Sequence, residues 1–219
     1  VVTAIFGLLA IPFVYLLAAA LGGFAAGSAA SLLMALGKWP LEISRAGLRF
    51  PYGMTFAALT IWLLIRWMRT GDRRDALACG IALGAGLYGY SPFRAVVPVV
   101  AIAFLILLLA PTETISRKRA VGHGLLTAAT SLMVFLPLAT YAVEKPDNFW
   151  FRSTSRITGE EEGSSLANAL DQVSLFLENN WHAALSFNYR GDSTMVNAVT
   201  FDPFLDLIIG ALFLAGLVV

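Results

Sequence analysis

Residues 1–37 read VVTAIFGLLAIPFVYLLAAALGGFAAGSAASLLMALG and contain no charged side chain. A transmembrane helix needs about 20 apolar residues to cross a bilayer core of about 30 Å. This run is too long for one such helix, and Gly22 and Gly23 interrupt it near its middle. The stretch therefore predicts two membrane helices, over about 1–21 and 24–38, joined by a tight hairpin.

The composition of the whole chain has the same character. Of 219 residues, 58% are apolar and 13% are charged, whereas charged residues make up about 25% of a soluble domain. A soluble domain of this length cannot bury so much apolar surface, because its own surface is too large relative to its volume. Composition therefore excludes a soluble enzyme, a disordered chain and a nucleic-acid-binding protein, and it indicates an integral membrane protein.

Five further runs carry almost no charge, and they cover 50–65, 76–93, 95–112, 120–143 and 203–219. Backbone groups in lipid must be paired within the protein, and none of the runs alternates as a barrel strand would. The predicted fold class is therefore all-α, a polytopic transmembrane helix bundle of about seven spans.

The hydrophilic residues are concentrated in one long segment. Residues 144–202 follow a predicted bundle of about six spans in 1–143 and precede the start of a further span in 203–219. Apolar residues within 164–186 recur at helical spacing. We therefore predict an extracytoplasmic loop with an amphipathic helix that lies on the outer membrane surface or caps the bundle.

Basic residues predict the orientation of the bundle. Seven of them fall in two short connections that are separated by two predicted spans, so both connections belong to one face. The positive-inside rule makes that face cytoplasmic. The seven are Arg66, Arg69, Arg73, Arg74, Arg117, Lys118 and Arg119. Basic residues in the short turns of the other face oppose this bias and therefore suggest a function.

The first outer turn reads SRAGLR over 44–49 and contains Arg45 and Arg49. Two arginines four residues apart share a face if the turn is helical. A guanidinium can bind a phosphate through two hydrogen bonds, so such a pair suits a phosphate at a membrane surface. Snorkelling of both side chains to lipid headgroups is the alternative.

The second outer turn reads GLYGYSPFR over 86–94. Pro92 ends one predicted helix and Arg94 begins the next, which makes Arg94 a third candidate ligand of the same anion. Tyr90 is a candidate contact to a sugar or an acceptor. An interfacial aromatic belt formed with Tyr88 is the alternative interpretation.

A third polar cluster, FNYRGD over 187–192, immediately precedes the last predicted span. Asn188, Arg190 and Asp192 can hydrogen-bond sugar hydroxyls or a phosphate, and we take them as candidate sugar or acceptor ligands. Asp206 is expected to be a buried polar residue within the last span.

Other single residues are expected to be structural. Cys79 is the only cysteine, and His123 and His182 are far apart, so we predict no metal site and no cofactor. Gly80 and Gly84 form a small-residue face that predicts close helix packing. Four tryptophans near predicted span ends are expected to anchor the interface, namely Trp39, Trp67, Trp150 and Trp181.

The order of these outer motifs resembles a known enzyme family. Ser-Arg-x-x-x-Arg, then Gly-Leu-Tyr-x-Tyr and an arginine, then Phe-Asn-x-Arg-Gly-Asp resemble bacterial membrane glycosyltransferases of the dolichyl-phosphate-mannose protein mannosyltransferase type. These are family 39-like enzymes of the GT-C fold, related to the aminoarabinose transferases of lipid A. The resemblance covers essentially the whole chain and implies a GT-C-like bundle in the bacterial plasma (cytoplasmic) membrane.

The resemblance also implies an activity. Such enzymes move a sugar from a polyprenyl-phosphate carrier to a lipid, glycan or protein acceptor at the extracytoplasmic face, without a cofactor. Arg45, Arg49 and Arg94 would then bind the donor phosphate. Arg49 stands one position later than the second arginine of the usual family motif.

The general base of this family is an acidic residue in the first outer loop, which aligns upstream of Val1. Because the chain begins and stops inside apolar runs, we expect an internal fragment of a larger protein that lacks this base. Glu42 and Asp192 are the fallback candidates within the chain.

Two other classes of function stay open. A transporter or flippase of a lipid-linked or anionic substrate would place polar groups near the bilayer midplane and show internal repeats. Pro137 and Asp206 are its only sequence features here, while most charges lie at span ends, which favours an enzyme. A non-catalytic membrane scaffold is the third possibility.

Overall fold

The computed structural model describes residues 2–45, 47, 49–145, 169–191 and 203–218. These residues form helices and no strand, which confirms the all-α class. The helices are α1 (Val2–Leu36), α2 (Lys38–Arg45), α3 (Phe50–Thr70), α4 (Arg73–Gly86), a 3-10 turn (Ser91–Ala95), α5 (Val96–Leu109), α6 (Arg117–Glu144), α7 (Ala169–Asn188) and α8 (Leu207–Val218). The chain divides into two compact units, one of Val1–Leu36 and Gly47–Ala139 and the other of Gly37–Ala46 and Thr140–Val219.

Helix α1 contains the predicted hairpin. Gly23 has φ of 79° and breaks the helical backbone, in a conformation that favours glycine. A Cβ placed on Gly27 would lie 3.0 Å from the carbonyl oxygen of Tyr15, although twelve residues of straight helix would separate the two by about 18 Å. The second arm of α1 therefore folds back on the first, as the uncharged run predicted.

Helix α3 lies against the first arm of α1 and runs in the same direction. Near the start of both segments, the Thr55 hydroxyl donates to the carbonyl oxygen of Phe6 at 2.7 Å. Near their ends, the Arg69 guanidinium donates to the carbonyl oxygen of Ala20. The α1 hairpin turn therefore lies at the end of the unit where α3 finishes.

Helices α4 and α6 pack closely through glycine. A Cβ on Gly80 would lie 2.5 Å from the carbonyl oxygen of Thr127, and one on Gly84 would lie 2.5 Å from that of Ser131. The Thr127 hydroxyl donates to the carbonyl oxygen of Ala76 at 3.0 Å. The small-residue face predicted for α4 is therefore the seam with α6, which suits helices in lipid.

Both predicted cytoplasmic connections lie at one end of the first unit. Helices α3 and α4 meet at Gly71, which has φ of 64° and closes the end of α3. A Cβ on Gly71 would lie 3.1 Å from the guanidinium of Arg119, at the start of α6. All seven basic residues of these connections therefore share this end, called here the basic end, as the span parity predicted.

Three of the described helical segments are long and apolar enough to cross a membrane, namely Val2–Leu36, Ser91–Leu109 and Arg117–Glu144. Leu207–Gly216 is a shorter apolar helix. The run predicted over 76–93 is helical as α4 only to Gly86, and its 14 residues extend about 21 Å, less than a bilayer core. The total of seven spans remains a prediction.

In the second unit, the end of α7 bonds to the segment that leads into α8, and α2 contacts the same segment through Trp39 and Phe204. Ile43 of α2 is buried. The backbone N–H of Phe204 donates to the carbonyl oxygen of Ser186 at 3.0 Å, and that of Leu205 to Phe187 at 3.0 Å. Helix α7 covers the later part of the amphipathic helix predicted over 164–186, whose first residues lie outside the described part of the chain.

The seam between α4 and α6 yields a stability prediction. Gly80→Ala should destabilise the protein by about 1–3 kcal/mol, because the new methyl group meets backbone atoms of α6 that cannot move aside. Gly122→Ala on α6 is the matched control, since no atom lies within 4 Å of its added Cβ, and it should be neutral or stabilising. Thermal unfolding of both variants in detergent measures the difference, and equal midpoints would contradict the seam.

Candidate functional site

The end of the first unit opposite the basic end is built from the start of α3 and the turn between α4 and α5. Arg49 is exposed and directly precedes α3. The Phe50 ring makes an edge contact with the Tyr90 ring, with centroids 4.5 Å apart. Arg94 is partly buried on the 3-10 turn. We call the group of Arg49, Phe50, Tyr52, Tyr90 and Arg94 the Arg94 site.

Two tyrosine hydroxyls hold the turn that carries Tyr90 and Arg94. The Tyr52 hydroxyl donates to the carbonyl oxygen of Ala85 at 2.7 Å. The Tyr88 hydroxyl donates to the carbonyl oxygen of Val134, on α6, at 2.8 Å. The turn is therefore tied to α3 on one side and to α6 on the other, which fixes the backbone that carries the site.

Glycine lets the aromatic rings of the site approach the backbone. A Cβ on Gly89 would overlap the Tyr52 ring, and a Cβ on Gly86 would overlap the ring of Phe93. Phe93 is buried and precedes Arg94 directly. Larger residues at the two glycines would displace these rings, so the glycines of the second motif serve the packing of the site.

Several arginines at the basic end form an ion pair or hydrogen bonds with other groups of the protein. Arg66 pairs through Nε with the buried carboxylate of Asp75 at 3.1 Å, and its guanidinium lies 5.5 Å from the ring centre of Trp62. Arg119 donates to the carbonyl oxygen of Thr114 at 2.7 Å. These contacts close the helix connections and indicate a structural role.

The condition under which Arg45 and Arg49 would share a face, a helical turn between them, is not met. Helix α2 ends at Arg45, and Gly47 has φ of 73°, so no continuous helix joins the two arginines. Arg49 belongs to the first unit together with Tyr90 and Arg94, whereas Arg45 belongs to the second. A spacing of four residues indicates a shared face only within an unbroken helix, and the helix is broken here.

The third polar cluster lies in the second unit. Asn188 is the last residue of α7, and its Oδ1 atom is buried without a hydrogen-bond partner among the described residues. Arg190 is exposed just beyond the helix. Asp192 lies outside the described part of the chain. Glu42, a fallback candidate for the base, is half-buried on α2.

Asp206 was expected to be buried within the last span, and this expectation is wrong. The residue is exposed, and its Oδ1 accepts hydrogen bonds from the backbone N–H groups of Ile208 and Ile209 at 3.1 and 2.9 Å. It therefore caps the start of α8, where N–H groups have no partner within the helix. One of the two transporter-like features of the sequence is thereby removed.

The expectation that Trp67 anchors the interface is also wrong. Its side chain is buried, its ring centre is 4.5 Å from that of Phe104, and its Nε1 donates to Nδ1 of His123 at 2.8 Å. Trp181 is exposed on α7, Trp39 is half-buried on α2, and Trp150 lies outside the described residues. A position near a span end therefore did not distinguish a core tryptophan from an interfacial one.

The chain matches one protein family over most of its length. The model of the family described as dolichyl-phosphate-mannose-protein mannosyltransferase matches residues 1–153, well over half of the 219-residue chain. The chain belongs to the dolichyl-phosphate-mannose-protein mannosyltransferase family. No curated protein and no solved structure matches it.

Membership in the mannosyltransferase family makes the chain a membrane protein of glycosyltransferase type, in agreement with its apolar helices. The matched region contains Arg45, Arg49, Tyr90 and Arg94, and it ends before Asn188. Sequence reasoning did not single out Tyr52, which anchors the turn. Its position in the first turn of a helix that begins an apolar run gave no signal that its hydroxyl would reach α4.

The anchoring of this turn gives a second prediction. Tyr52→Phe should lower the free energy of unfolding by about 1 kcal/mol, because the carbonyl oxygen of Ala85 loses its side-chain donor. Tyr141→Phe is the matched control, since its ring is exposed on α6. Thermal unfolding in detergent provides the comparison. A loss of stability in both variants, or in neither, would contradict the anchoring role.

Proposed function

We propose that this mannosyltransferase-family chain transfers a sugar from a polyprenyl-phosphate carrier to a lipid, glycan or protein acceptor at the extracytoplasmic face of the bacterial plasma membrane. The observation that carries the proposal is the family match, which includes the Arg94 site at the end of the bundle opposite the seven basic residues. The positive-inside rule favours the basic end as cytoplasmic, and hence the Arg94 site as extracytoplasmic.

The chemistry of the transfer needs cations at the membrane surface. When the bond between sugar and phosphate breaks, negative charge develops on the lipid-linked phosphate that leaves. Fixed guanidinium groups stabilise such charge strongly, because they require no reorganisation as it develops. Arg49 and Arg94 are suited to this task, and none of the described residues forms an ion pair with Arg49. Arg45 is proposed as a further phosphate ligand from the sequence motif.

The sugar and the acceptor need polar groups that fix their orientation. We assign this role to Tyr90. From the sequence motif alone, we propose Asn188, Arg190 and Asp192 as further candidates for it. The acceptor hydroxyl also needs a general base, whose removal of a proton makes the oxygen nucleophilic. From the family resemblance, we propose that this base is a carboxylate in an outer loop encoded ahead of Val1, with Glu42 and Asp192 as the alternatives.

The alternative of a lipid-linked-substrate transporter has less support. Asp206 caps α8 instead of lying within it, and the buried Asp75 carboxylate is paired with Arg66 at the basic end. The mannosyltransferase match favours transfer over transport, because family members are glycosyltransferases.

Removal of a phosphate-binding arginine gives the first functional test. Arg94→Ala in the complete protein should lower kcat/KM for a polyprenyl-phosphate sugar about a hundredfold, through lost stabilisation of the leaving phosphate. Arg94→Lys should recover part of this, since it keeps the charge and loses the planar fork. Arg49→Ala should act in the same direction as Arg94→Ala.

Arg74→Ala is the matched control for these variants, because Arg74 is exposed at the basic end. It should retain the activity of the unmodified protein. All variants are compared by sugar transfer after equal recovery of folded protein. Unchanged kinetics in Arg94→Ala, or an equal loss in Arg74→Ala, would overturn the phosphate role.

Orientation gives the second functional test. The chain has one cysteine, Cys79, which is buried. In a Cys79→Ala background, Arg49→Cys should react with a membrane-impermeant maleimide added to intact cells. Arg74→Cys should react only after the membrane is permeabilised. The reverse pattern would place the Arg94 site on the cytoplasmic side and contradict the proposed face.

A further inference from the structure

An aromatic cluster in the second unit joins α2 to the end of α7. The ring centre of Trp39 is 5.1 Å from that of Phe204, and the ring centre of Phe187 is 6.2 Å from that of Phe204. Asn188 follows Phe187, and its Oδ1 would lie 2.7 Å from a Cβ on Gly210. We call Trp39, Phe187, Asn188 and Phe204 the Trp39 cluster.

Two polar atoms of this cluster have no hydrogen-bond partner among the described residues. They are Nε1 of Trp39, which is a donor, and Oδ1 of Asn188, which is an acceptor, and both are buried. A buried polar group without a partner costs about 1–3 kcal/mol, and native proteins leave few of them. A ligand that both donates and accepts hydrogen bonds would satisfy the donor and the acceptor of this cluster.

The chemistry of the cluster fits a sugar. A hydroxyl both donates and accepts a hydrogen bond, so neighbouring hydroxyls of one pyranose can pair with the indole N–H and with the amide oxygen. Neither atom is charged, which disfavours an anion or a metal ion. Binding sites commonly combine aromatic walls with a few placed polar groups, and Phe187 and Phe204 offer apolar surface to the C–H face of the ring.

The position of Trp39 favours the sugar of the donor. Trp39 and Arg45 lie on the same short helix, α2, and six residues of helix separate them by about 9 Å along its axis. Arg45 is one of the proposed phosphate ligands, and the donor joins its sugar directly to phosphate. A sugar beside a phosphate held near Arg45 therefore comes within reach of the Trp39 cluster.

We propose that Trp39 and Asn188 determine which sugar the donor carries, with Trp39 donating to one hydroxyl and Asn188 accepting from another. This inference rests on the proposed function, which supplies the polyprenyl-phosphate donor. Trp39, expected from sequence to anchor the interface, thereby becomes a specificity-determining residue.

The test compares two ligands of the complete protein in detergent by titration calorimetry. One is polyprenyl-phosphate mannose, with the glucose and galactose analogues run beside it, and the other is the same polyprenyl phosphate without a sugar. Trp39→Phe keeps an aromatic ring and removes the N–H. It should weaken binding of the preferred sugar ligand about five- to tenfold, the worth of one hydrogen bond, and leave the bare phosphate unchanged.

Further variants separate the possible explanations. Asn188→Leu should have the same selective effect as Trp39→Phe, and Arg45→Ala should weaken both ligands. Trp181→Phe and Asn179→Leu are the matched controls, since both residues are exposed on α7, and they should change neither affinity. Without ligand, Trp39→Phe should unfold at the same temperature as the unmodified protein or higher, because its N–H has no partner to lose.

Several results would overturn the inference. An equal loss for both ligands in Trp39→Phe, or a lower unfolding temperature without ligand, would indicate an ordered water or a structural role. Intact donor binding with a raised KM for a glycan acceptor would assign the cluster to the acceptor. A protein that binds bare polyprenyl phosphate but gains nothing from any sugar overturns this inference alone. Failure to bind any polyprenyl phosphate overturns the proposed function as well.

Discussion

Close packing around α3 is the constraint on which the first unit depends. Helices in lipid gain little from the hydrophobic effect, so their association relies on close contact and on hydrogen bonds between helices. Helix α3 supplies both: Thr55 bonds to α1, Tyr52 to α4, and Trp67 to His123 on α6. The same helix begins directly after Arg49 and ends near the basic residues, so its packing fixes both ends of the unit.

The two ends of the unit use arginine for different purposes. At the basic end, Arg66, Arg69 and Arg119 bind a carboxylate or backbone carbonyl groups and thereby close the connections between helices. At the other end, the hydroxyls of Tyr52 and Tyr88 bond to backbone carbonyl groups and connect the helices. Arg49 is exposed at this end, which also carries Tyr90 and Arg94. A division of this kind is consistent with the proposed orientation, in which the basic end faces the cytoplasm and the Arg94 site meets the lipid-linked donor.

Sequence alone predicted the features that follow from composition and backbone chemistry. The absence of charge over 1–37 predicted the apolar helices. Gly22 and Gly23 predicted the hairpin, and Gly23 adopts there a positive φ that favours glycine. The small residues Gly80 and Gly84 gave a packed seam because no larger side chain fits there. The order of the outer motifs predicted the family, which the family match confirms.

Features that depend on tertiary contacts were not predictable in the same way. The uncharged run over 76–93 does not show that α4 ends at Gly86, because the end is set by Phe93 and Tyr52 packing onto the turn. Likewise, the spacing of Arg45 and Arg49 does not show that Gly47 between them has a positive φ and ends the helical geometry. The unpaired atoms of Trp39 and Asn188 emerge only when α2 and α7 are placed together.

The central claim, that this chain serves a membrane glycosyltransferase with a lipid-phosphate donor, is tested most directly by sugar transfer itself. The complete protein in proteoliposomes would receive polyprenyl-phosphate mannose labelled in the sugar, with a nucleotide-linked mannose as the alternative donor. The account predicts that label leaves the polyprenyl-phosphate donor only when the protein is present, and that the nucleotide sugar is not used. Transfer from the nucleotide sugar, or unchanged polyprenyl-phosphate mannose with every class of acceptor, would contradict it.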